Sequence, residues 1–157
     1  MKLLAKIITI SVLFFAAQAC SSDDTTPRAD QESQEQGLSD FEMEHGIGPV
    51  TERINIDEDE FDPELITRGR DIFEMKCEMC HNMEGRMVGP ALGDVMERRS
   101  PEFVMNFILN PGAMTREHPV GQELLQEYMT TMPFQNVKED EARAIVEFLR
   151  DYTENNQ

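Results

Sequence analysis

The chain has 157 residues, 39% hydrophobic and 29% charged, enough for one domain with a modest core and not comfortably enough for two. Against 14 Lys and Arg stand 31 Asp and Glu, a formal net charge of −17, which excludes a nucleic-acid binder as a first reading because the phosphate backbone would be repelled. A protein partner with a basic docking surface suits such a field better.

In chain order, the first element is an export signal. Lys2 and Lys6 precede a mostly apolar run of 11 residues, Ile7 to Ala17. That run is too short for a bilayer core of ~30 Å, which needs about 20 helical residues, and it fits a signal h-region. Ala17-Gln18-Ala19-Cys20 follows and resembles the bacterial lipoprotein box, in which the signal (1–19) is cut off and Cys20 carries lipid. Ordinary cleavage after Ala19, leaving a free thiol, is the plainer alternative. The expected location is the periplasmic side of a bacterial membrane, with the N-terminal lipid as anchor.

Residues 20–61 read as an acidic, largely disordered tether. From Asp23 to Glu64, 15 acids face only Arg28 and Arg53, whereas from Leu65 onward 16 acids face 10 bases. A segment so polar cannot repay its ordering entropy. Two stretches interrupt it, His45-Gly46-Ile47-Gly48-Pro49-Val50 and Ile54-Asn55-Ile56. They either lie along a core surface or form a stickier piece of linker. His45 reads as a surface histidine.

The folded part is expected over 62–157 and is all-α. Asp62 caps a helix, with Pro63 in its first turn and Glu64 complementing the dipole; Leu65, Ile66, Gly69, Ile72 and Phe73 recur at helical spacing. A glycine-rich loop runs from His81 to Leu92. Ser100-Pro101-Glu102 opens a second helix, stopped by Asn110-Pro111-Gly112. Val120 to Met129 is a third. The last runs from about Val137 to Tyr152 with Ala142, Ile145, Val146, Phe148 and Leu149 as its buried stripe. It is capped from Asn136 or starts two residues later.

Chemistry enters at Cys77-Glu78-Met79-Cys80-His81, the haem-attachment pattern C-x-x-C-H. Two thiols three apart at a helix end can each add to a haem vinyl group, and His81 then points at the iron as a ligand. A redox dithiol would normally follow a strand and has no need of the His. Half a zinc site needs a second Cys or His pair, and with Cys20 assigned to lipid none of the three cysteines is spare. The motif occurs once, so one covalent haem c is expected. With 76 residues after His81, the other side of the haem is built downstream, unlike four-helix-bundle cytochromes.

Residues 65–152 resemble a class I cytochrome c domain. The resemblance rests on the attachment motif, on Gly69 and Phe73 with Phe148 where the family's first and last helices cross, and on Gly89-Pro90-Ala91-Leu92 as its proximal loop. It implies that the Pro90 carbonyl orients His81, that Leu92 packs on the haem, and that Arg98 or the neighbouring Arg99 faces a propionate. It also implies Met132 as distal ligand, since Met132 precedes Pro133 in an interhelical loop 51 residues after His81. Met114, Met129 and His118 are the competitors.

A haem with two protein ligands exchanges electrons and takes no small-molecule substrate. The expected function is therefore a lipid-tethered, non-enzymatic electron carrier between a redox donor and acceptor. The alternative is a haem sensor or peroxidase-like enzyme with a labile distal ligand, for which Arg116 and His118 would be the distal pair.

Overall fold

The computed structural model describes residues 37–56 and 61–156. Among them it forms seven helices and no strand: α1 (Asp40–His45), α2 (Pro63–Lys76), α3 (Val95–Arg98), α4 (Pro101–Leu109), α5 (Pro111–Glu117), α6 (Pro119–Tyr128) and α7 (Glu139–Asn155). The all-α expectation holds. The signal (1–19), Cys20 and tether residues 20–36 and 57–60 lie outside the described residues.

α2 starts as its sequence dictates. The Asp62 carboxylate accepts from the amides of Glu64 and Leu65 at 2.9 and 3.2 Å, and Pro63 stands where no amide partner is needed. Its buried face crosses α7. A Cβ on Gly69 would overlap the Ala144 carbonyl, so only glycine permits the approach. One turn on, the rings of Phe73 and Phe148 meet at 5.5 Å and 56°. Burying each ring contributes about 1.5–3 kcal/mol, and the pairing adds roughly 0.5–1.5 kcal/mol. The expected stripe of α7 is buried throughout. α7 takes the later of its two starts: Lys138 is the N-cap residue, and its amide donates to Glu141 at 2.9 Å.

The long segment between α4 and α7 holds more helix than expected. Ser100 caps α4 through the Phe103 amide at 3.2 Å, and α4 stops at Asn110 as predicted. The same Asn110 is also the N-cap of α5, with Pro111 at N1. Asn-Pro is therefore a stop and a start at once, and single-turn elements such as α3 offer too little periodicity to detect.

Over the described residues 37–56 the chain departs from the tether expectation, and the two stretches left open, 45–50 and 54–56, lie along the core. Ser39 and Glu42 form a capping box on α1, and residues 45–56 dock on α4. The organiser is Asn106, fully buried. Its amide nitrogen donates to the carbonyls of His45, Gly46 and Val50 at 3.0, 3.2 and 2.9 Å, and its oxygen accepts from the Val50 amide at 2.9 Å. Glu102 accepts from the Ile54 amide at 2.9 Å, and the Ile47 amide donates to Met114 Sδ at 3.0 Å. Burial pushes the Glu102 carboxyl up, but backbone amides, Arg53 and His45 outweigh it and hold the group below the usual carboxylate range. Val50 joins the core, with Ile54 and Ile56 packed on it. His45 is correspondingly buried, against Ser100 Oγ at 2.7 Å and Arg53 at 3.2 Å, and is not a surface residue.

Candidate functional site

Where α2 ends, the chain tightens around one carbonyl. The amides of Cys80 and His81 both donate to Cys77 O, at 3.0 and 2.9 Å, which folds the pentapeptide into a single turn. Cys77, Cys80 and His81 then line one cavity that is partly open to solvent. Its largely apolar lining suits a hydrophobic cofactor. Its walls come from α2, the 81–92 loop, α4, α6, the loop after α6, and α7. Apolar contributions include Phe73, Val104, Ile108, Ile145 and Leu149.

The His81 ring is oriented from behind. Its Nδ1 lies 2.9 Å from the Pro90 carbonyl oxygen. A carbonyl only accepts, so Nδ1 carries the proton and the Nε2 lone pair is free for a metal. The loop is pinned by the Gly89 amide, which donates to Cys80 O at 2.9 Å. A Cβ on Gly89 would run into the imidazole, so the close approach of loop and ring needs glycine there.

Of the remaining expected residues, Pro90, Leu92, Arg98 and Met132 all line the cavity. The Arg98 guanidinium is already engaged, with Asp94 at 2.7 Å and the Ala91 carbonyl at 3.2 Å. That hydrogen bond lowers the Asp94 carboxyl from its usual range. Arg99 also lines the cavity, stacked over Phe103 at 5.0 Å. Among the described residues, His81 is the single histidine and Met132 the single methionine in the lining.

The competitors for the distal position lie elsewhere. Met114 is fully buried beneath residues 46–47. His118 is also buried and is spent on structure: its Nδ1 accepts from the Val120 amide at 3.2 Å, and its Nε2 donates to the Met43 carbonyl at 3.3 Å. Met129 is 83% exposed. Arg116 pairs with Glu117 on the surface, so Arg116 and His118 form no distal pair in the cavity.

The rival readings of the thiols fare no better. Burial pushes the Cys77 thiol up to about 11, with Lys76 pulling the other way and Cys80 adding to the rise. Dithiol exchange needs a thiolate near neutral pH. Among the described residues no group of three His, Cys, Asp or Glu side chains converges as a metal cluster. An iron porphyrin, by contrast, needs only axial ligands from the protein. The donor set and the largely apolar lining fit haem. Sequence reasoning did not single out Lys76, which lines the cavity and reaches the Asn136 carbonyl, or Arg86, which ties the 81–92 loop to Glu127 and Tyr128; such long-range contacts carry no local signature.

Comparison with known proteins agrees. The family model described as Cytochrome c matches residues 66–153. Cytochrome c from Rhodothermus marinus is 40% identical with a TM-score of 0.69, covering 74% of this chain and 98% of its own. That share is wider than the family model's range, so the likeness extends outside residues 66–153. An engineered cytochrome c from the same organism gives 39%, 0.68, 73% and 98%. Another engineered form, bound to a carbene intermediate, gives 40%, 0.66, 73% and 98%. No curated protein matches the chain. With the turn over residues 77–81, the oriented histidine and a largely apolar cavity on one helical frame, the chain belongs to the cytochrome c family: an all-α, class I electron-transfer domain carrying one covalently bound haem c.

Proposed function

We propose that Cys77 and Cys80 hold the haem through thioether bonds and that His81 Nε2 and Met132 Sδ are its axial ligands. The observation that carries this reading is the cavity lining, which unites both thiols with its single histidine and single methionine among the described residues. When bound, the haem supplies a one-electron ferric–ferrous couple. The Pro90 carbonyl fixes the His81 tautomer and raises its basicity, a thioether ligand favours ferrous iron, and Leu92 closes the apolar wall. Arg99 is assigned to a propionate ahead of Arg98, whose guanidinium serves Asp94.

With both axial positions supplied by protein, the domain passes single electrons between redox proteins and is not an enzyme. Its partners present basic docking surfaces to the −17 chain. Cys20 carries lipid and tethers the protein on the periplasmic side of a bacterial membrane. The second reading, chemistry at an opened iron, is favoured by one observation: an engineered Rhodothermus marinus relative is bound to a carbene intermediate.

Intact mass after denaturation is expected to show one added haem, absent in the Cys77→Ala, Cys80→Ala double variant. The far-red Fe–S(Met) absorption of the oxidised protein is expected to vanish in Met132→Ala and persist in Met114→Ala. Prompt carbon monoxide binding by the parent ferrous protein would favour the second reading.

A further inference from the structure

The loop that carries Met132 has an unusual construction. Among the described residues, both non-glycine residues with positive φ stand at its two ends, Met129 at 54° and Asn136 at 51°. Residues 130–136 make no backbone–backbone hydrogen bond with any described residue. A loop with strained ends and no ladder of its own holds its shape only if something outside grips it.

Two cations from the attachment side supply that grip. Arg86, in the 81–92 loop, crosses to the end of α6. Its Nη2 donates to the Glu127 carbonyl at 2.8 Å, Nη1 reaches the Glu127 carboxylate at 3.5 Å, and the guanidinium lies 4.1 Å from the centre of the Tyr128 ring. Lys76, beside Cys77, donates to the Asn136 carbonyl at 3.2 Å and pairs with Glu141 at 3.6 Å. One cation thus holds the backbone two residues before Met129, and the other holds Asn136 itself.

We infer that Arg86 and Lys76 are positioning residues that clamp the two ends of the 129–136 loop and keep Met132 seated. This rests on the proposal that Met132 is the distal ligand. An added ligand competes with Met132, so its apparent affinity scales with the fraction of molecules in which the loop has swung away. Weakening either grip enlarges that fraction without touching the thiols, His81 or Met132. Charge-assisted hydrogen bonds are the strong ones, and each grip is expected to change the fraction about tenfold.

The test is imidazole titration of the oxidised holoprotein, followed by its spectrum. Arg86→Gln and Lys76→Gln are each expected to bind imidazole roughly tenfold tighter than the parent, and the double variant roughly a hundredfold if the ends act independently. Arg86→Lys, which keeps a donor for Glu127 but not the planar stack on Tyr128, is expected to fall between. Arg116→Gln, which removes an exposed charge outside the cavity, is expected to leave the affinity unchanged. Thermal midpoints are expected to stay close to the parent's, which separates local release of the loop from loss of fold. If Met132→Ala abolishes the far-red band but all four clamp variants bind imidazole as the parent does, the clamp is wrong and the ligand assignment survives. If the band survives in Met132→Ala, the assignment beneath the clamp fails first.

Discussion

At the scale of single residues, the hydrogen bond from His81 Nδ1 to the Pro90 carbonyl at 2.9 Å sets which nitrogen faces the cavity. The carbonyl belongs to the backbone, so Pro90→Ala keeps the acceptor and loses only loop rigidity. Gly89→Ala is different, because its new Cβ would overlap the His81 ring and must push ring or loop aside. Gly89→Ala is therefore expected to lower holoprotein yield and shift the reduction potential, and Pro90→Ala to do much less of either. Yield read from the haem absorbance, with a redox titration, checks the order. Equal effects would mean that loop stiffness, and not ring clearance, orients the ligand.

Among the elements, the segment around α1 is the one whose status changes most. Composition made residues 37–44 look like tether and left 45–56 open, and Asn106 makes four hydrogen bonds to the backbone of residues 45–50. Removing that carboxamide leaves one buried amide and three carbonyls without their partner, at about 1–3 kcal/mol for each group that stays unsatisfied. Asn106→Ala is accordingly expected to cost at least about 2–3 kcal/mol and to lower the thermal midpoint by several degrees. Phe107→Ala, on the same helix but facing the cavity, is expected to perturb the haem spectrum more directly. Calorimetry of the two variants distinguishes a docked segment from a passive one; an unchanged midpoint in Asn106→Ala would reject it.

For the whole molecule, docking moves the start of the domain from residue 62 back to Ser39. Only 18 residues then separate Cys20 from Ser39, a reach of at most about 65 Å. Five acids and Arg28 lie between Cys20 and residue 37, and on the proposed reading their field would act on a basic partner over roughly one Debye length, ~8 Å at physiological salt. Long-range charge mainly alters association rate. Cys20→Ser is expected to release a soluble, still red protein. A chain beginning at residue 37 is expected to keep its melting temperature but to reduce a cationic acceptor more slowly at low salt, with the gap closing as salt rises. A chain beginning at residue 57 is expected to melt lower as well. Stopped-flow reduction across a salt series, with melting curves, tests both; a salt-independent gap would mean that the acidic residues touch the partner directly.

What the chain reveals by itself is whatever depends on neighbours in sequence. The attachment turn, the Asp62 and Ser100 caps and the buried stripe of α7 are set by covalent spacing and helical period, and the structure has them where those rules put them. The proximal loop was legible through the family resemblance, which implied the Pro90 carbonyl behind His81, and the carbonyl oxygen and His81 Nδ1 lie 2.9 Å apart. Tertiary structure alone decided the fate of residues 37–56: the apolar stretches within 45–56 left docking open, but their partner Asn106 lies 56–61 positions away. His81 was legible from the motif and Met132 only through the family resemblance; the structure puts both in the lining and leaves Met114, Met129 and His118 out of it. His118 and Met114 carry the same donor atoms as His81 and Met132, but docking buries them under α1 and the segment after it. A side chain's chemistry can be read from its identity; which cavity it faces depends on pairings between distant segments, and those exist only once the chain has folded.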